Sequence, residues 1–176
     1  MPLTAPELSG GAPPSVIGLG LGSNIGDKAR NIKTALDLLQ ARGIARVSAI
    51  SSIYRTAPWG YVDQDFFANA CALGETRLDP LDLLAAIKDV ERDMGRSASV
   101  RWGPRLIDID ILFYGEKPFD DPRLQLPHKE LFERAFVLKP LAEIAPDLRL
   151  LGRSVREAAE RFAQEPLEKW VDESPS

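Results

Sequence analysis

Hydrophobic and polar positions change rhythm along this chain often enough to predict its main elements in order. Val16 to Gly22 (VIGLGLG) is a short apolar run closed by glycines and predicts a buried strand. From Asp27 to Arg42 the apolar residues recur at Ile32, Ala35, Leu36 and Leu39, with Gly43 behind them, which predicts a helix with a glycine stop. Ile44 to Tyr54 places Ile44, Val47, Ile50 and Ile53 among β-branched and small residues and predicts a second strand. A loop over Thr56 to Asp65 and a third strand over Phe67 to Thr76 follow. Asp79-Pro80 then supplies an N-cap and a proline for the first helical position, ahead of Leu83, Leu84, Ile87, Val90 and Met94 at helical spacing, and Gly95 ends that helix. Leu106 to Tyr114 (LIDIDILFY) alternates cleanly and predicts a fourth strand, broken at Gly115.

The order strand, helix, strand, strand, helix, strand predicts an α+β fold: a ferredoxin-like βαββαβ antiparallel sheet with helices packed on it. Short additional helices are expected toward the C-terminus. Leu131 to Ala145 has helical character but contains Pro140, which predicts a break or kink, and Ser154 with Glu157 three residues on forms a capping-box signature for a helix to Phe162. Residues 1–14 are rich in Pro, Gly, Ala and Ser and read as a flexible extension; residues 15–163 read as one domain and 164–176 as a polar tail. No internal repeat is present.

Composition narrows the function classes. At 176 residues the chain is long enough to bury a core unaided. No apolar run approaches the roughly 20 residues that cross a bilayer, so no membrane role is expected. Met1 to Ser15 lacks a basic start and an apolar middle, and Cys71 is the lone cysteine, which together predict a cytoplasmic protein. A net charge of −4 argues against nucleic-acid binding through a broad basic surface. An anionic ligand would instead meet a local cluster: Lys88, Arg92, Arg96, Arg101 and Arg105.

The chemistry concentrates in Arg101-Trp-Gly-Pro-Arg-Leu-Ile-Asp-Ile-Asp110. Asp108 and Asp110, two residues apart on a strand, project from one face at a spacing of about 7 Å. Like charges so placed repel, and magnesium ions shared with phosphate oxygens would relieve the cost. A solvent-facing polar edge of an amphipathic strand is the alternative for a bare D-x-D. Its company favours the metal reading, because arginine forks at Arg101 and Arg105 suit phosphate oxygens and Trp102 offers an aromatic face. Surface ion pairing between these arginines and acids stays open as well. The glycines of Gly18-Leu-Gly20-Leu-Gly22-Ser-Asn-Ile-Gly26 match neither G-K-[ST] nor G-x-G-x-x-G, and read as close packing and a tight turn, with room for a flat ligand near the backbone. Phe67, Phe136 and Asn69 flank sheet elements and by themselves read as core; His128, the only histidine, reads as structural or exposed unless it meets phosphate.

Four blocks in register carry a resemblance: Leu21-Gly-Ser-Asn-Ile-Gly26; Ser51-Ser-Ile-Tyr-Arg-Thr-Ala-Pro-Trp-Gly60 with Phe67-Ala-Asn69; Arg101 to Asp110; and Leu126-Pro-His128 with Arg134 to Phe136 and Pro140-Leu-Ala-Glu-Ile-Ala-Pro146. From about Ser15 to about Asp147 the chain resembles the 6-hydroxymethyl-7,8-dihydropterin pyrophosphokinases of folate biosynthesis. The resemblance implies transfer of the terminal diphosphate of ATP to the pterin hydroxymethyl group with release of AMP. It implies that Asp108 and Asp110 hold two magnesium ions and that Arg96 and Arg105 steady phosphate charge. Glu91, Arg101, Trp102, Ile111, Arg123, His128 and Arg134 would line the ATP side. The pterin would lie between Phe67 and Phe136, with Asn69 reading its amide edge and Gly22, Thr56, Pro58 and Trp59 completing the slot. Lys88, Gln125 and Lys129 stand where relatives often carry glutamine, threonine and tyrosine. A monomer acting on small molecules is expected. The rival readings are a non-catalytic ferredoxin-like module for nucleotide or RNA, and a nucleotidyltransferase that retains AMP on its product.

Overall fold

The computed structural model describes residues 7–57, 66–95 and 106–171. Strand β1 (Ser15–Ser23) leads through Gly26 into helix α1 (Lys28–Ala41), whose Asp27 cap accepts a hydrogen bond from the Arg30 amide at 3.2 Å. Gly43 ends α1 at φ +68, a left-handed conformation that a side chain would strain. Next come β2 (Arg46–Ile50), β3 (Tyr54–Thr56) and β4 (Phe67–Thr76). Helix α2 (Pro80–Met94) starts as its sequence predicts, with the Asp79 carboxylate accepting from the Asp82 amide at 2.9 Å. Strand β5 (Asp108–Tyr114) and a small hairpin of β6 (Phe119–Asp121) and β7 (Leu124–Leu126) follow. The C-terminal part holds α3 (Ala135–Ile144), a short hairpin of β8 (Arg149–Leu150) and β9 (Arg153–Ser154), α4 (Val155–Glu160) and β10 (Glu168–Lys169).

The main sheet is antiparallel in the order β10-β3-β4-β1-β5, with β2 also paired to β4. One face is closed. Ile17, Leu19 and Leu21 of β1, Ala68, Ala70 and Ala72 of β4, and Ile109 and Ile111 of β5 pack there against Ile32, Leu36 and Leu39 of α1 and Leu83, Ile87 and Val90 of α2. The small alanines of β4 let the helices approach the sheet. The opposite face is covered only in part, by α3 and α4, through a second cluster that includes Cys71, Leu112, Phe113, Leu138, Leu141 and Val155. Strand β5 changes its facing between these clusters. Phe113 pairs with Gly18 and Ile111 with Leu19, so Leu112 is an extra residue in a bulge, and Leu112 and Phe113 both serve the second cluster.

Three features differ from the sequence-based expectation. The strand predicted over Ile44 to Tyr54 is two strands, because Ser51 turns its hydroxyl onto the Cys71 amide at 2.9 Å while its own amide donates to the Cys71 carbonyl. A side chain takes over a ladder bond and the chain bends. The predicted break at Pro140 lies upstream instead: α3 runs through Pro140, and the interruption is the extended Arg134 that separates it from a 3-10 turn over Leu131–Glu133. Burial of Val137, Leu138, Pro140 and Leu141 offsets the backbone bond that proline cannot make. Finally, the segment read as a tail adds a strand to the sheet edge, where Glu168 and Lys169 pair with Arg55 and Tyr54 and the Trp170 amide donates to the Ile53 carbonyl at 2.7 Å. A two-residue strand has no periodicity to read. At the other end, the Ser9 amide donates to the Gly43 carbonyl at 2.8 Å.

Candidate active site

The open part of the second sheet face is a cleft of about 540 Å³. Its floor comes from the side of β1 that carries no side chains. Gly22 lies between Asn69 of β4 and Asp108 of β5, and Gly20 between Cys71 and Asp110, so two rows of partners cross the sheet at these glycines. Neighbouring strands lie about 4.8 Å apart, which puts roughly 10 Å between the amide side and the carboxylate side of each row. A Cβ on Gly22 would stand 2.8 Å from the Asn69 Oδ1, and one on Gly18, beyond the cleft, 2.2 Å from the Phe113 ring. Residues 18, 20 and 22 share one face by strand alternation, and the absence of side chains there opens the cleft.

One wall of the cleft is aromatic and the other is charged. Phe67 begins β4 and Phe136 lies in the first turn of α3, and both line the cleft with Thr56 and Ala57 of the β3 end. The Asn69 Nδ2 donates to the Thr56 Oγ1 at 2.6 Å, which fixes the orientation of the amide. Beyond the glycines, Asp108 and Asp110 lie side by side with Arg134, Glu130 and Glu133. Burial, followed by the Asp108 charge, pushes the Asp110 carboxyl above its ordinary range, while His128, Arg134 and Lys88 pull it back. The Arg134 guanidinium is paired with Glu130 and stands 5.5 Å from the centre of the Phe136 ring. It therefore sits at the junction of the aromatic and charged parts.

The candidate residues divide by position. Gly22, Thr56, Phe67, Asn69, Asp108, Asp110, Arg134 and Phe136 come together in the cleft. Glu91 and Ile111 lie on the closed side. The Ile111 side chain is part of the core under α1 and α2, so only its backbone could meet a ligand. Glu91 accepts from the Ile109 amide at 3.2 Å; its Oε1 is buried 3.3 Å from the Lys88 Nζ without a hydrogen bond. Burial raises its carboxyl above the usual range and the Asp108 charge adds to this, against Lys88 and the Ile109 amide. Arg123 is exposed on the β6–β7 turn, paired with Asp121 at 3.0 Å. His128 donates its amide to the Leu112 carbonyl at 2.8 Å and accepts the Glu130 amide on Nδ1 at 3.2 Å. Pro58, Trp59, Arg96, Arg101, Trp102 and Arg105 lie outside the described residues. Sequence reading missed Glu130, Glu133, Cys71 and Val137 in the cleft; the four-residue spacing of Glu130 and Arg134 was the available signal for one of them.

The donor set fits magnesium. Both acidic side chains of the D-x-D offer oxygen, and the repulsion that raises Asp110 is of the kind a hard cation relieves. No group of three or more His, Cys, Asp or Glu among the described residues could hold a metal by itself. Magnesium bound through one or two carboxylates draws its remaining ligands from substrate phosphates and water, which accords with such a partial site.

An antiparallel α+β sheet whose open face carries two aromatic rings and an amide at one end and a carboxylate pair at the other has the form of a small-molecule binding site. The chain belongs to the 7,8-dihydro-6-hydroxymethylpterin-pyrophosphokinase (HPPK) family, whose model matches residues 18–146. It is 50% identical over 151 residues to the 2-amino-4-hydroxy-6-hydroxymethyldihydropteridine pyrophosphokinase of Methylorubrum extorquens, covering 86% of this chain and 96% of that one. It is 47% identical over 130 residues to the protein of the same name from Pseudomonas aeruginosa, covering 74% of this chain and 80% of the other. A "Folate synthesis bifunctional protein, mitochondrial" of Arabidopsis thaliana is 46% identical over 126 residues, which are 72% of this chain and 23% of that protein. The crystal structure of Plasmodium falciparum HPPK-DHPS with pteroate has the same fold at a TM-score of 0.67 and 18% identity, covering 89% of this chain and 44% of that one. The chain thus spans less than half of that bifunctional protein.

Proposed function

We infer that this chain transfers the diphosphate of ATP to the hydroxymethyl group of 6-hydroxymethyl-7,8-dihydropterin, releasing AMP, as a step of folate biosynthesis. Family membership supports the reaction, and one observation carries its assignment to this cleft: Gly20 and Gly22 join an aromatic, amide-bearing slot to a carboxylate pair across about two strand spacings. The pterin hydroxyl oxygen attacks the β-phosphorus, the bond from that phosphorus to the α,β-bridging oxygen breaks, AMP takes the electron pair, and the hydroxyl proton passes to solvent. Such transfers depend on positioning and charge neutralisation more than on covalent chemistry from the protein.

Each group has a part in that chemistry. Phe67 and Phe136 hold the ring by its faces, and Asn69, oriented by Thr56, reads its amide edge. Gly20 and Gly22 let the ring lie close to the backbone. Asp108 and Asp110 would hold magnesium, two ions on the family pattern, and the metal would supply neutralisation of triphosphate charge and a lowered pKa for the acceptor hydroxyl. Arg134 presents its fork to phosphate at the same end, with Arg96 and Arg105 in the matching role. Family resemblance assigns Glu91, Arg101, Trp102, Ile111, Arg123 and His128 to the nucleotide side, Ile111 through its backbone alone, with Pro58 and Trp59 at the slot.

The strand order with α1 and α2 on one face supports reading the sheet as ferredoxin-like. A cytoplasmic monomer completes the proposal; among the described residues no helix is long and apolar enough to cross a membrane. The test is product analysis. With ATP, magnesium and the hydroxymethyl dihydropterin, mass spectrometry should find AMP and a pterin diphosphate in equal amounts. Release of pyrophosphate would establish a nucleotidyltransferase instead, and binding without turnover would favour a binding module.

A further inference from the structure

Seven residues after Phe136, two helical turns along the same stripe, α3 carries Glu143 one residue before its end at Ile144. A carboxylate in the last turn of a helix opposes the helix dipole, so local electrostatics disfavours it there. What it meets explains its position. Its Oε1 accepts from the Ser52 amide at 2.8 Å and the Ser52 hydroxyl at 2.7 Å, and its Oε2 accepts from the Tyr54 hydroxyl. The Lys169 charge, brought by the register of β10 on β3 beside Tyr54, acts on it as well. Burial pushes the Glu143 carboxyl up, but the bonds from Tyr54 and Ser52 outweigh it and hold the group below the ordinary carboxylate range.

The two ends of this contact lead to the two sides of the cleft. Tyr54 pairs with Asn69, and Thr56, one turn of the pleat further, pairs with Phe67 and fixes the Asn69 amide. On the other side the same helix that carries Glu143 carries Phe136. Resting on the reading of this cleft as a ring slot, we propose that Glu143 is a positioning residue: by clamping α3 to Ser52 and Tyr54 it sets the separation of Phe136 from Phe67 and Asn69, and so the fit of a flat bicyclic substrate. None of the three clamp residues lines the cleft. Its effect reaches a substrate only through the helix, first through Phe136, which α3 carries against the slot, and less through Arg134, whose long side chain at the N-cap can readjust.

The test compares Glu143→Ala, Tyr54→Phe and Glu143→Gln with the wild type. Steady-state kinetics would vary each substrate in turn, beside pterin dissociation constants by fluorescence and thermal midpoints. The expected result is a pterin KM and dissociation constant raised about tenfold in Glu143→Ala, the scale of a small misplacement, with ATP KM within about twofold. Tyr54→Phe should show a smaller rise, and Glu143→Gln, which keeps an oxygen acceptor for Ser52, should recover most of the loss. An unchanged pterin KM in both Glu143→Ala and Tyr54→Phe overturns the clamp while wild-type turnover still upholds the function. Parallel rises in both KM values with a lowered midpoint also overturn it, leaving a merely structural bond. A wild-type chain that neither binds nor converts the pterin sinks the function first and the clamp with it.

Discussion

The two faces of the sheet are written on the same strands and do opposite work. Along β1, Ile17, Leu19 and Leu21 face the helices while Gly18, Gly20 and Gly22 face the other way; along β5, Ile109 and Ile111 alternate with Asp108 and Asp110. The closed face is a continuous apolar layer whose residues can be judged by volume alone. The open face lacks side chains along β1, where the proposed ring would lie flat, and carries two carboxylates beside it, where the proposed triphosphate would be held. Stability and function are separated here by a single residue step, since alternate positions on a strand do not share a face.

Substitutions can sharpen that separation. The largest effect should follow Asp108→Ala or Asp110→Ala: a fall in kcat on the order of a thousandfold or more, with a thermal midpoint close to wild type. Near-normal turnover in either would remove the metal assignment. One position away, Ile109→Ala should do the reverse, costing about 2–5 kcal/mol of stability in denaturant unfolding while kcat of the folded fraction holds. A kinetic defect at full stability would mean that the faces are not independent. Phe67→Ala should raise the pterin dissociation constant at least tenfold, the scale of one well-packed aromatic contact, and leave ATP nearly unaffected. Equal losses for the two ligands would argue against the aromatic slot. Gly20→Ala is milder, because its Cβ would meet the Leu112 side chain at an ordinary 3.4 Å. The added methyl intrudes on the floor, so calorimetry should report a pterin affinity a few-fold weaker and a midpoint little changed.

The smallest effect is at alkaline pH. Burial, then the Glu143 contact, raises the Tyr54 phenol from 10.0 to about 12. A group whose folded pKa is raised contributes stability that is complete below pH 10.0 and disappears as the pH climbs through about 12. The wild-type unfolding midpoint should fall more steeply across that interval than that of Tyr54→Phe. Parallel curves would show that the phenol does not feel the carboxylate.

Much of this was legible beforehand, and for physical reasons. α1 and α2 were readable because periodicity, Asp27, Asp79-Pro80 and Gly43 each report a local cost or gain. Asp108 and Asp110 were readable as a same-face pair because the spacing of two is fixed by the pleat. The placement of α3 across the sheet was not, since a helix records which stripe is apolar but not what lies under it. The bend at Ser51 was hidden for the same reason: the serine matters through the Cys71 amide, twenty residues away. Glu130 and Glu133 enter the cleft through an extended Arg134 that no propensity marks.

The bulge at Leu112 has a consequence for how this gene can change. Tyr114 is anchored beyond it by its hydroxyl on the Leu78 carbonyl at 2.7 Å, and Phe113 by the space over Gly18. Deleting one codon between Asp110 and Phe113 would remove the extra residue and restore plain alternation, so that Phe113 still meets Gly18 and both acids keep their aim, whereas deleting Ile109 would turn Asp108 toward the apolar layer. Loss of length in β5 is thus absorbed at the bulge and barred between the two acids.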